Sequence, residues 1–108
     1  MTHETSDPKI RKVPASTAEE ILLGRTIVRE HLGDLFTLVF DLPRNVGVKG
    51  DQGIWGETVL ISTSDQSALV ALHNDTDKLA EASTAITNQL PAVCRVLIDI
   101  VAQPEEAA

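Results

Sequence analysis

From Ala18 onward the apolar residues fall at helical spacing: Ile21, Val28 and Leu32 share one face, Leu35 continues the stripe, and Glu20, Arg29 and Glu30 point elsewhere. Ser16 or Thr17 supplies the cap, with Glu19 or Glu20 three residues on, so a helix is predicted to start there. Gly24 weakens it by roughly 1 kcal/mol relative to Ala. Residues 33–43, GDLFTLVFDLP, fit two templates: Phe36, Leu38, Phe40 and Leu42 alternate as in a strand, and Leu35, Leu38, Val39 and Leu42 also make a helical stripe. Pro43 ends whichever element forms.

Residues 45–63 read as a β-hairpin. NVGV is a short first strand, KGDQG holds the turn, and ETVLIST is β-branched and alternating, with Val59, Ile61 and Thr63 on one face and Thr58, Leu60 and Ser62 on the other. Trp55 stands before ETVLIST, either covering the hairpin's edge or exposed as a contact residue. Ser64 or Asp65 then caps a short helix through His73, with Leu69 and Leu72 inward and Val70 beside them. A further helix, TDKLAEASTAITNQL, places Leu79, Ala82 or Ser83, Ile86 and Leu90 on one face before Pro91 stops it. VCRVLIDIV alternates again, Val96, Ile98 and Ile100 opposing Arg95, Leu97 and Asp99, as a final strand. The order favours a layered α+β domain: an N-terminal helix, a hairpin, two helices and a last strand packed on one small sheet. Polar residues 1–15 read as a flexible arm, 16–102 as the domain and 103–108 as a flexible tail.

The chain has 108 residues, 43% of them hydrophobic and 23% charged. That is the composition of one globular domain. Its single Cys, Cys94, makes no internal disulfide, and buried packing is its expected role. No stretch approaches the roughly 20 apolar residues of a membrane span, and no signal-peptide pattern opens the chain, so a cytoplasmic protein is expected. The net charge is −7 and lies entirely in residues 50–108, since acids and bases balance through residue 49. The cations of the first half, Lys9, Arg11, Lys12, Arg25, Arg29, Arg44 and Lys49, are the candidate nucleic-acid contacts, a weak interaction with single-stranded DNA being one alternative function.

The string HNDTD, His73 to Asp77, is the densest cluster of polar chemistry. A calcium loop needs more oxygens and a glycine at its bend. Asp75 or Thr76 as N-cap, with Asp77 in the first turn facing the positive end of the helix dipole, accounts for the cluster without an ion. No metal site or cofactor is expected. Ser62, Ser64 and Ser67 occupy a strand-to-helix turn but lack a nucleophile elbow's glycines, and GVKGDQG joins strands where a phosphate cradle would open a helix. The residues point away from an enzyme and assign no catalytic group.

Over roughly residues 45–101, and through the string ETVLISTSDQSALVALHNDTDKLAEASTAITNQLPAVCRVLIDIV, the chain resembles the conserved half of the DciA family, bacterial loaders or operators of the replicative helicase. The resemblance rests on an alternating strand, the polar cap at Asp65, Ser67 and Leu69, the leucines Leu72 and Leu79, a helix closing on QLP and a last alternating strand. It implies a KH-like α+β fold, a role at the helicase in DNA replication, and affinity for DNA. The expected function is thus a non-enzymatic adaptor that contacts a larger protein, with Trp55, Asp65, Asp75 and Asp77 as candidate partner-binding residues. A self-associating scaffold domain, pairing through an exposed hairpin edge, is the further alternative.

Overall fold

Thr17 caps the first helix reciprocally: its Oγ1 accepts from Glu20 N at 3.1 Å, and Glu20 Oε1 accepts from Thr17 N at 2.9 Å. Two otherwise orphaned amides are satisfied. In the computed structural model, which describes residues 10–49 and 52–104, the elements are β1 (Ile10–Lys12), α1 (Ala18–Leu32), β2 (Phe36–Val39), β3 (Asn45–Lys49), β4 (Gln52–Thr63), α2 (Gln66–His73), α3 (Thr76–Gln89) and β5 (Val93–Ile98). This is the expected α+β class.

β4 organises the molecule. Gly53 to Trp55 pair with β1 in parallel and with β3 antiparallel, so those two strands flank the first half of β4. Leu60 and Ile61 pair with β2 antiparallel and with β5 in parallel, so these flank the second half. Five strands therefore form one sheet around a single 12-residue strand. The register with β5 slips between Glu57 and Thr58, whose partners are Val93 and Arg95, leaving Cys94 as the extra residue of a bulge.

The helices bury their apolar stripes on one face of the second half. Val28, Leu38, Val59, Ile61, Leu69, Ile86 and Leu90 are fully buried there. Gly24, which costs helix propensity, lies where α1 comes nearest this layer. A Cβ there would stand 2.9 Å from Leu90 Cδ1 and 3.0 Å from both Leu38 Cδ2 and Phe40 Cζ. The close approach explains the glycine.

One open question is resolved and three expectations are corrected. The ambiguous 33–43 segment is a strand where it is regular, because Phe36 and Leu38 alternate into the core. Leu35 does not continue the α1 stripe; it lies beyond the helix and is 59% exposed. Val70 and Ile100 are also exposed, since α2 turns Leu69 and Leu72 inward and β5 ends at Ile98. Residues 10–12, assigned to the arm, form β1 on the edge of β4.

Candidate functional site

The hairpin of β3 and β4 is locked down on one face and open on the other. On the locked face Asn45, Gly47 and Lys49 alternate along β3 opposite Gly56, Ile54 and Gln52. Lys49 Nζ donates to the carbonyls of Thr87, Leu90 (3.2 Å) and Val93 (2.7 Å). These carbonyls end α3 and begin β5, so an ammonium meets the negative end of the helix dipole. Burial pushes the Lys49 pKa below its ordinary value, and the Cys94 thiol nearby opposes that shift. A Cβ on Gly47 would stand 2.7 Å from Cys94 Sγ and 2.9 Å from Cys94 Cβ. Only a glycine lets β3 pack on the bulge.

Arg44 ties the hairpin to the segment after β1, its Nη2 donating to Val13 O at 2.6 Å and Trp55 O at 2.9 Å. Val13, Ile54 and Ala92 form a small second core beneath, with Cys94 packed against it. Ser16 donates through N and Oγ to the Glu57 carboxylate at 3.0 and 2.6 Å, fixing the start of α1 to β4. Two polar atoms here, Arg44 Nε and Asn45 Oδ1, are buried without a hydrogen-bond partner.

The opposite face carries two cross-strand rows. Val46 pairs with Trp55 and Trp55 with Lys12; Val48 pairs with Gly53 and Gly53 with Ile10. Directly paired residues share a face, so Ile10, Val46, Val48 and Trp55 make one apolar surface edged by Lys12. All four are exposed, Val48 at 71% and Trp55 at 38%. Such contiguous apolar exposure marks interaction surfaces. The sequence singled out Trp55 alone; Val46 and Val48 are visible in the alternation of NVGV once the buried side is known. Ile10 needed β1.

The other candidate partner residues lie elsewhere. Asp65 Oδ1 accepts from Ala68 N at 2.9 Å and Asp75 Oδ1 from Lys78 N at 3.1 Å, each as an N-cap, and Asp77 sits in the first turn of α3. HNDTD is thus a junction between helices. His73 Nε2 donates to Asp99 O at 2.8 Å, tying α2 to the end of β5. Among the described residues no three His, Cys, Asp or Glu side chains gather closely enough to hold a metal ion. Ser62 Oγ donates to Asp99 Oδ2 at 2.9 Å, and Cys94 is a half-buried free thiol.

The candidate nucleic-acid cations are scattered. Lys9 lies outside the described residues. Arg11 and Lys12 are on β1, Arg25 and Arg29 on α1. Arg25 Nε donates to Leu38 O at 3.2 Å, with its guanidinium over the Phe40 ring, and Arg44 and Lys49 spend donors on backbone carbonyls as above. Three of the six described cations thus serve the fold. No helix among the described residues is long and apolar enough to cross a membrane.

No family model matches the chain. It is 29% identical over 107 residues to a GMP synthase (glutamine-hydrolyzing) of Mycolicibacterium paratuberculosis, an alignment covering 88% of this chain and 20% of that protein. The chain therefore spans about one fifth of the length of the curated relative it matches.

Proposed function

We propose that this chain is a non-enzymatic interaction module that docks on a larger protein through the outer face of its hairpin. The observation that carries the reading is the exposed surface of Ile10, Val46, Val48 and Trp55 on a hairpin whose other face is anchored by Lys49 and Arg44. An anchored strand pair holding a Trp outward presents a rigid aromatic contact of the kind that dominates binding energy. The absence of catalytic roles from this proposal follows from the use of the polar side chains: Asp65, Asp75, Ser62 and His73 each serve a cap or a tie between elements.

Two partners follow from two observations. The alignment with one fifth of a GMP synthase favours an enzyme of that kind. The DciA-like pattern over roughly residues 45–101 favours the replicative helicase. The alignment extends over more of the chain, and we favour the synthase-type partner. An acidic second half, which includes Asp65, Asp75 and Asp77, speeds encounter with a basic partner surface more than it tightens the final complex. Nucleic-acid binding is the weaker alternative, because Arg25, Arg44 and Lys49 are committed to intramolecular bonds.

Trp55 is the single Trp of the chain, so its fluorescence reports on the face directly. Titration with the purified GMP synthase and, separately, the helicase of the same organism is expected to give a saturable blue shift with one of them, abolished by Val48→Asp. Emission unmoved by either protein up to about 100 μM, the range of weak transient complexes, would overturn the proposal.

A further inference from the structure

β5 pairs with β4 along one edge, and no described strand pairs with its other edge. The open edge has a defined polarity. Asp99 N donates to Ile61 O at 3.3 Å, toward β4. Backbone groups alternate in direction along a strand, so Leu97 and Arg95 also bond toward β4, and Val96 and Ile98 turn their N–H and C=O outward. The strand holds no proline and one charge, Arg95, whose Nη2 donates to Val46 O at 3.5 Å, and Asp99 follows the strand directly. Beside it runs a groove whose α3 wall is Thr76, Leu79, Ala80 and Ser83, mostly small side chains that leave space for another strand.

We infer that this edge takes the β5 of a second copy of the chain, antiparallel, about a two-fold axis at Leu97. The inference rests on the reading of the chain as an interaction module and names a partner for a surface separate from the Trp55 face. Outward groups must meet outward groups, so the two-fold axis lies at a residue position, and an axis at Arg95 is disfavoured because it sets that guanidinium against its own copy. An axis at Val96 sets Arg95 opposite Leu97, and one at Ile98 sets Leu97 opposite Asp99. An axis at Leu97 sets Leu97 against its own copy, Val96 against Ile98, and Arg95 against Asp99 on both sides. Only that register is complementary in charge, and its symmetry makes both ion pairs form together. Leu97, 45% exposed, is then covered at the centre.

The test uses the full chain in sedimentation equilibrium. Dimers are expected in the wild type. Arg95→Asp, which puts an acid opposite Asp99, is expected to weaken association about tenfold, two like-charge pairs together costing about 1.4 kcal/mol. Arg95→Asp with Asp99→Arg is expected to restore it. Geometry is read independently by Leu97→Cys in a Cys94→Ser background. Residues facing each other in a non-hydrogen-bonded antiparallel pair have Cα atoms about 4.5 Å apart, within disulfide reach, so oxidation is expected to give a covalent dimer and Glu30→Cys to give none. A wild type that stays monomeric at about 500 μM, weaker than any biological association of interest, overturns the inference. So does a dimer indifferent to the single charge reversal or a Leu97→Cys chain that does not cross-link. The Trp55 titration is unaffected by any of these results, so failure here is distinct from failure of the interaction-module reading.

Discussion

Lys49 Nζ and Val93 O lie 2.7 Å apart across 44 residues of sequence. That contact, with those to Thr87 O and Leu90 O, joins the tip half of β3 to the place where α3 hands over to β5. One side chain gathers three carbonyls at this junction, of which Leu90 O also accepts from Val93 N at 3.1 Å. It also holds the hairpin at the angle that exposes Trp55.

Replacing Lys49 by Met keeps the stem's packing and removes the donors. The partly buried carbonyls are then left to solvent, and a loss of about 1–3 kcal/mol is expected, read as a lower midpoint in urea unfolding. A variant within about 0.5 kcal/mol of wild type would show that water replaces the ammonium there and that Lys49 does not anchor the hairpin.

Gly47 and Cys94 form the second anchor. Gly47→Ala drives a methyl to 2.7 Å from Cys94 Sγ, and overpacking of this kind costs about 1–3 kcal/mol. Cys94→Gly relieves the clash, so in a double-mutant cycle the two changes are expected to couple favourably. Strict additivity would place the strain of Gly47→Ala elsewhere.

Much of this arrangement is legible in the chain, and the division has a physical cause. Local signals succeeded: the Thr17–Glu20 capping box, the Asp65 and Asp75 caps, the hairpin and the period of β4 each depend on residues within a few positions. Features decided by distant neighbours did not show. β1 is Ile-Arg-Lys, with no alternation to announce it, and forms because β4 offers an unpaired edge. Lys49 looked like a surface cation because its acceptors lie 38 to 44 residues away. Gly24 looked like a defect until Leu38, Phe40 and Leu90 were seen to crowd it. The exposed apolar face was half legible: alternation sorts β3 into two faces, and only tertiary packing says which is covered.

The helix junction at HNDTD gives a third prediction. Asp65→Ala and Asp75→Ala should each cost about 1 kcal/mol through loss of a cap, and calcium or zinc should leave the thermal midpoint of the wild type where it is. A metal-dependent rise that Asp75→Ala abolishes would assign the junction a chemical role and contradict its reading as a pair of caps.

The account's central claim is that the outer hairpin face is where a partner sits. The most direct measurement places a photo-cross-linking phenylalanine analogue at Val48, and in a parallel chain at Ser67 on α2, and irradiates each with the GMP synthase or the helicase. A covalent adduct from position 48 and none from position 67 is the predicted result. Adducts from position 67 alone, or from neither position with either protein, would contradict it.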